Sequence, residues 1–364
     1  MKLAIIGTRG IPNHHGGFEQ FAEYFSVYTA EKGHEVIVYN SNLHPYKKCS
    51  YKGVQIIHCK DPENKLGTAG QFIYDLNCIL DVRSRNVDVI LQLGYTSSSI
   101  WGWLLPKTPI IVTNMDGLEW KRSKYSKYVR KFLKFAEKLA INTSDFLISD
   151  SIGIQNYLTE KYGAISEFIP YGADLFLEPM EQIILEYGQI PFGYNMLIAR
   201  LEPENNIEVI LDGVAKSKDV TPFLVIGKHE TKYGEYLKNK FSDNVNINFL
   251  GGIYNQNHLD NLRYYSNLYF HGHSVGGTNP SLLEAMASNA FIIANDNIFN
   301  KSILGGDAYY FKSSDEVASL LGLRKQQHLD KGIKNKEKIT SLYSWDRINS
   351  HYEDYLLNCL KNSQ

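Results

Sequence analysis

The sequence predicts an α/β protein built from two doubly wound parallel-sheet domains. Short runs rich in Ile, Val and Leu alternate with longer helical patterns, and they are continuous rather than alternating apolar with polar, as expected for strands covered on both faces. This series runs once through the first half of the chain and then restarts. The length of 364 residues fits two domains of ordinary size, roughly 100–200 residues each.

In the first half the strands are expected at Leu3–Ile6, Glu35–Tyr39, Val54–His58, Val87–Leu91, Ile110–Thr113 and Phe146–Ser149. Helical patterns fall near Gly17–Lys32, Gly70–Ser84, Ser123–Asn142 and Ile152–Tyr162. The second set of strands reads Asn195–Ala199, Phe223–Ile226, Val245–Leu250, Leu268–Phe270 and Phe291–Ala294. Its helices fit Asn206–Lys216, Lys232–Phe241, Leu259–Tyr265, Ser281–Ser288 and Asp315–Leu323. Pro and Gly cluster between the halves, which sets an expected boundary of 1–172 against 173–344. A last helix, Trp345–Leu360, is expected to return to the first domain. Two such sheets imply a cleft lined by the loops that follow the strands.

Composition narrows the function. With 38 basic and 39 acidic residues the chain is nearly neutral, which argues against a general nucleic-acid binder. The four cysteines form no Cys-x-x-Cys pair, so a zinc site or disulfide framework is not expected, and free thiols suit a reducing cytoplasm. The chain opens directly on a strand, with no basic and then apolar leader, so no signal peptide is expected. No apolar run reaches the ~18 residues of a membrane span; any membrane contact is expected to be peripheral.

Three loops after strands carry candidate chemistry. Gly7–Glu19 leaves the first strand and reaches Gly16 and Gly17 where a helix begins. Glycine permits close backbone approach, and free N–H groups at a helix start favour an anion. The spacing is not G-x-G-x-x-G, so a dinucleotide fingerprint is absent. The second loop, His271–Glu284, is the most informative. Asn279 suits an N-cap and Pro280 a first helical position. Gly276, Gly277 and Thr278 then form a side-chain-poor cradle for a diphosphate or its sugar. Ser281, Glu284 and Ser288 share one helix face, and Glu284 is placed to accept from a ribose diol or simply to complete the first turn. The third loop carries Arg200, a cation suited to bidentate phosphate contact. Lys228, after Val225-Ile-Gly227, is a second candidate cation, with a surface ion pair as the alternative for each.

On the acceptor side, Asp116 and Glu119 follow a strand of the first half. A carboxylate within ~3 Å of an acceptor hydroxyl orients or deprotonates it; capping of the next helix is the alternative. His14 and His15 are further acceptor-side candidates. No Asp-x-Asp occurs in the sequence, and no metal or cofactor is expected. Lys121–Lys138 holds eight basic residues and one acid. Tyr125, Tyr128, Val129, Phe132, Leu133, Ala136 and Leu139 recur there at helical spacing, which reads either as an apolar stripe packed on the sheet with a solvated basic face, or as a peripheral helix with a cationic remainder suited to an anionic membrane.

Taken together, several motifs resemble one family. They are Gly7-Thr-Arg-Gly-Ile-Pro12 with Gly16-Gly-Phe-Glu19, Asn114-Met-Asp-Gly-Leu-Glu-Trp-Lys-Arg122, Ile169-Pro-Tyr-Gly-Ala-Asp174, Arg200-Leu-Glu-Pro-Glu-Asn-Asn206 and His273–Met286. Over nearly its whole length the chain resembles the retaining GT-B glycosyltransferases of family 4, in particular the bacterial rhamnosyltransferase branch that builds capsule and cell-wall polysaccharide. The resemblance implies that Glu284 is the second glutamate of an E-x7-E motif and binds the nucleotide ribose. It implies that Gly277–Ser281 hold the diphosphate and sugar, that Arg200 binds phosphate, and that Gly251–Tyr254 border the base. In such enzymes the departing phosphate takes the acceptor proton, which leaves Asp116 a positioning role. Two positions depart from the pattern: Gly276 stands where the first motif glutamate belongs, and Asn205 where a second basic residue belongs.

The expected activity is transfer of a sugar, L-rhamnose from dTDP-L-rhamnose in first place and a UDP-sugar in second, to a lipid-linked glycan. Asp116, Arg200 and Glu284 are the residues expected to carry it. A nucleotide-sugar epimerase needs an acid and base pair that the sequence does not display, and a non-catalytic nucleotide-sugar binder is the remaining alternative.

Overall fold

The computed structural model describes residues 1–14, 16–122 and 125–363. Among these, fourteen strands form two sheets. The first contains β1 (Lys2–Ile6), β2 (Glu35–Ser41), β3 (Ser50–Tyr51), β4 (Val54–Cys59), β5 (Val89–Leu93), β6 (Ile110–Asn114), β7 (Phe146–Ser149) and β8 (Glu167–Phe168), in the order β3-β4-β2-β1-β5-β6-β7-β8. It is parallel except where β3 meets β4. The second contains β9 (Asn195–Ile198), β10 (Phe223–Ile226), β11 (Ile247–Gly251), β12 (Leu268–His271), β13 (Ile292–Asn295) and β14 (Tyr309–Phe311), all parallel, in the order β11-β10-β9-β12-β13-β14.

The chain divides into two compact units. One comprises Met1–Lys121, Tyr125–Tyr171 and the segment from Trp345 onward; the other comprises Gly172–Ser344 with Arg122. The strands are buried because helices cover both faces of each sheet. In the second unit Leu197, Val225, Phe270 and Ile293 pack with Ile207, Leu211 and Val317. In the first, Ala4, Ile90 and Ile111 pack with Tyr74, Cys78 and Val82. The helix Trp345–Asn362 belongs to the first unit through aromatic contacts: Trp345 stacks on Tyr24 at 4.4 Å, and Tyr352 lies 4.4 Å from Phe21.

Most elements fall where the apolar runs put them, and the differences have local causes. β5 begins at Val89 rather than Val87, because Asp88 forms a bonded entry turn. Its amide donates to the Lys2 carbonyl at 2.8 Å and its carboxylate accepts the Lys2 amide at 2.6 Å. β3, β8 and β14 have two or three residues each, too few to show a period. The helix expected from Ser123 begins at Lys127, where Ser126 caps it by accepting the Val129 amide; Ser123 itself lies outside the described residues.

The apolar stripe assigned to this helix needs correction. Leu133, Ala136 and Ala140 face inward, but so does Glu137, while Tyr128 is 87% exposed and Val129 39% exposed. Glu137 is drawn in by hydroxyl donors: Tyr162 at 2.6 Å, Tyr157 at 2.8 Å and Tyr95 at 3.4 Å. The outward face carries Tyr128 and Phe135 between Lys127, Lys131, Lys134 and Lys138.

Asp75, on the helix Ala69–Val82, is buried with the Ser97 hydroxyl donating to it at 2.5 Å. Burial raises its carboxyl to about 7, against about 4 in an unfolded chain. Between those values the folded state keeps a proton that the unfolded state has released, so stability falls as pH rises from about 4 to about 7. We expect Asp75→Asn to remove this component, up to about 1.4 kcal/mol per pH unit, in urea titrations run across that window. Parallel pH profiles for the two proteins would contradict it.

Candidate functional site

Ligands of doubly wound sheets bind beyond the carboxyl ends of strands where the order reverses. In the second unit that point lies between β9 and β12, and the segments following those two strands carry Arg200 and Gly277–Glu284 of the predicted donor residues; Lys228 follows β10, and Gly16 and Gly17 belong to the first unit. The loops are tied together. The Ser274 hydroxyl donates to the Glu204 carbonyl at 2.7 Å, and the Asn206 side-chain amide donates to the Gly272 carbonyl at 2.8 Å. Position 272 has to be glycine: a Cβ there would stand 2.1 Å from the Asn205 carbonyl oxygen. Asn297 and Asn300, beyond β13, hold the His273 carbonyl at 3.0 and 3.1 Å.

Arg200 follows β9 and is exposed, with no ion pair among the described residues. Its carbonyl accepts the Asn205 side-chain amide at 2.8 Å, so Asn205 is turned inward to brace this loop. Lys228 follows β10 and is likewise exposed and unpaired among the described residues. The preceding Gly227 admits no side chain, because a Cβ would lie 2.0 Å from the Ala199 carbonyl oxygen.

Asn279 caps the helix Pro280–Ala287, its side chain accepting the Ser281 amide at 3.0 Å. The Leu282 amide bonds back to the Asn279 carbonyl, and Pro280 has no N–H to offer. The first turn is therefore largely satisfied from within. The unclaimed donors lie one step earlier, in the backbone amides of Val275, Gly276 and Gly277, which bond to no described residue. Gly276 has φ +127, a conformation that suits glycine. Thr278 beside it is buried. The side-chain-poor segment read in the sequence as a diphosphate cradle thus presents its amides ahead of the helix rather than from its first turn.

Ser281, Glu284 and Ser288 meet a network that sequence reasoning missed. Arg263, on the helix Gln256–Tyr265, is 1% exposed. It donates to Glu284 Oε2 at 2.6 Å and to Asp260 Oδ1 at 2.8 Å. Ser288 donates to Asp260 at 3.1 Å, and the Tyr269 and Ser281 hydroxyls bond at 3.0 Å. Burial works against the guanidinium's charge, but Glu284, Tyr269 and Asp260 outweigh it and raise the pKa. Burial also holds the Asp260 carboxyl above its ordinary range. Glu284 thus commits one oxygen to Arg263, and Oε1 bonds to no described residue. The signal for Arg263 was in the helix pattern: it follows Leu259 by four residues on the inward stripe, where an arginine requires a carboxylate.

In the first unit the order reverses between β1 and β5. The loop after β1 is held by Asn40, which accepts the Ile11 amide at 3.0 Å and donates to its carbonyl at 2.8 Å. Gly16 is exposed and extended, and Gly17 opens the helix Gly17–Glu31. Glu19 reaches back from the first turn to accept the Arg9 amide at 2.9 Å. This places a carboxylate beside the predicted anion position, which weakens Gly16 and Gly17 as phosphate ligands. Asp116 follows β6 at φ 49, its amide donating to the Asn114 side chain at 3.0 Å. Glu119 is buried in the short turn that follows. His14 is exposed, with its ring 6.2 Å from that of His44, and His15 lies outside the described residues.

Comparison with known families follows this division. Residues 1–174 match a domain of unknown function (DUF1972), and residues 194–343 match glycosyl transferases group 1. No curated protein matches the chain. Among solved structures, sucrose-phosphate synthase from Thermosynechococcus elongatus is similar at 16% identity over 100% of each chain, with a TM-score of 0.81. Anabaena HepE in complex with UDP and glucose is similar at 13% identity over 98% of this chain and 99% of that one, with a TM-score of 0.74. An α,α-trehalose 6-phosphate synthase from Burkholderia multivorans is similar at 10% identity over 100% of this chain and 99% of that one, with a TM-score of 0.71. These identities speak to fold, which is GT-B; the match over 194–343 speaks to the class of protein. The chain is a GT-B glycosyltransferase.

The Arg263 network of this glycosyltransferase lies wholly within the matched group 1 segment. Replacing Arg263 with leucine strands two carboxylates in a poorly solvated site. We expect a loss of roughly 3–5 kcal/mol, the cost of breaking a buried pair on one side, measured by urea denaturation. A loss below about 1 kcal/mol would mean that the carboxylates relax into solvent and that Arg263 does not fix Glu284.

Proposed function

We propose that this glycosyltransferase moves L-rhamnose from dTDP-L-rhamnose to a lipid-linked saccharide in capsule or cell-wall polysaccharide synthesis, with retention of configuration and without a metal. The observation that carries the donor half is the convergence, at one strand-order reversal, of exposed Arg200, the amides of Val275–Gly277 that bond to no described residue, and the Glu284 carboxylate held by Arg263. Donors fixed in place before the reaction stabilise the charge that develops on a departing diphosphate. Arg200 and the loop amides have that character, with Lys228 as a further cation. The free oxygen of Glu284 is the acceptor for a ribose hydroxyl. The Gly276 position supports a deoxy sugar, since no carboxylate stands there and nothing lies within 4 Å of where its Cβ would be. Asp116 and Glu119 are the groups assigned to orient the acceptor hydroxyl.

A second reading, a UDP-sugar donor, is favoured by the fold likeness to HepE, whose structure holds UDP and glucose. Thermal unfolding across dTDP-, UDP- and GDP-sugars separates the two. A ligand at about 100 times its Kd adds about 2.7 kcal/mol of stability. We expect dTDP-L-rhamnose to shift the transition, and Glu284→Ala or Arg200→Ala to abolish the shift. A response to UDP compounds alone would transfer the assignment to the second reading.

The working location we propose is the cytoplasmic face of an anionic membrane. Support comes from the outward face of the helix Lys127–Thr143, where Tyr128 and Phe135 stand among four lysines. Nearby, Trp103, on the turn Ser99–Leu104 that packs against this helix, is 73% exposed. Aromatic side chains that enter the headgroup layer beside cations bind anionic lipid. Changing Lys127, Lys131, Lys134 and Lys138 to glutamate is expected to abolish co-sedimentation with phosphatidylglycerol vesicles while the circular dichroism spectrum stays native. Retained sedimentation would remove the membrane role of this face.

A further inference from the structure

The loop after β12 contains two histidines that the donor assignment leaves unused. His271 and His273 stack with ring centroids 4.4 Å apart and planes 18° apart. His271 is 1% exposed, and neither of its ring nitrogens has a hydrogen-bond partner. In His273 the buried Nδ1 is also without a partner, whereas the ring as a whole is only half-buried and Nε2 bonds to no described residue. An unsatisfied polar atom in a folded core is costly and calls for a physical explanation.

The tautomer of His273 follows from those costs. A neutral imidazole carries one N–H, and orphaned buried N–H groups are rarer than under-satisfied acceptors. The buried Nδ1 therefore keeps the lone pair and the proton sits on the outer Nε2. Burial first, and then Arg200 and Arg122, lower the pKa of this ring to about 3, with Glu202 opposing, so the ring stays neutral through the working range. His271 behind it is pushed well below its ordinary value by burial, then by His273 and Arg263. The result is an uncharged N–H donor in electrostatic reach of Arg200, two residues before the free loop amides.

We infer that His273 is a positioning residue of the donor site, which donates from Nε2 to an oxygen of the nucleotide diphosphate that Arg200 neutralises. This deepens the donor reading above and rests on it. Arg200 supplies charge from an exposed and adaptable side chain. His273 supplies direction, because its main-chain carbonyl is held by Asn297 and Asn300 and its ring is backed by His271. A donor that does not titrate keeps its geometry without adding a further positive charge to those of Arg200 and Lys228.

The test is calorimetric titration of UDP and dTDP into wild type, His273→Phe and His273→Gln, each at pH 5.5 and 8, with thermal unfolding of the free proteins. Phe keeps the stack and removes the donor; Gln restores a donor near the position of Nε2. We expect His273→Phe to weaken binding of the diphosphate that wild type takes by tenfold or more, and His273→Gln to recover at least part of it. The ratio of the two variants' affinities to that of wild type should be the same at both pH values. If His273→Phe does not fold, His273→Met makes the same comparison. A folded Phe or Met variant that binds with wild-type affinity overturns the inference, whatever its melting temperature, and assigns the pair to packing. A wild type that binds neither diphosphate overturns the donor reading together with it, whereas Arg200→Ala losing affinity while His273→Phe keeps it overturns this inference alone.

Discussion

A guanidinium that is 1% exposed between two carboxylates sets the terms for the donor unit. Arg263 is tolerated in the interior only because Asp260 and Glu284 meet it with charged hydrogen bonds, and removing either side of such a pair leaves an uncompensated buried charge. Its two carboxylate partners fix three things together: the roll of the helix Gln256–Tyr265, the roll of the helix Pro280–Ala287, and the direction in which Glu284 leaves its helix. Ser281, Ser288 and Tyr269 add further bonds, whereas the buried Arg263 Nε has no partner among the described residues. A carboxylate on a mobile side chain would lose rotamer entropy on each binding event; Glu284 is already committed through one oxygen.

Charge around the site is graded. Full cations, Arg200 and Lys228, are exposed at strand ends. Behind them the side chains that shape the loops are neutral: Asn205, Asn206, Asn297, Asn300, His271 and His273. Amides brace backbone carbonyls directionally without the desolvation cost that a lysine would incur in the same places. In the proposed donor role, this surface would offer a diphosphate adaptable cations together with fixed dipoles.

The fold was legible because parallel strands buried on both faces leave continuous apolar runs, and because Asn279-Pro280 announces a helix start. β3, β8 and β14 were not, since two or three residues define no period. The positions of Arg200, Glu284 and the cradle loop could be placed on the right strand ends, but their partners could not. Nothing local ties Arg263 to Glu284, 21 residues later, or Asn297 to His273; such pairings exist only once the sheet has brought neighbouring loops together. The basic helix failed differently. Counting apolar residues at helical spacing put Tyr128 inside and gave Glu137 no place, because three tyrosine hydroxyls from elsewhere in the unit make burial of that glutamate tolerable.

Gly276 shows how a departure from a motif can become hard to reverse. There is room for a side chain, since nothing lies within 4 Å of where a Cβ would be, and one nucleotide change converts some glycine codons to glutamate. Yet the backbone there sits at φ +127, where any L side chain is strained. Regaining the carboxylate would first require the loop to refold into a conformation that offers no benefit until the carboxylate is present. Space alone therefore does not make this position ready for a side chain: the backbone would have to change before a carboxylate could sit there without strain.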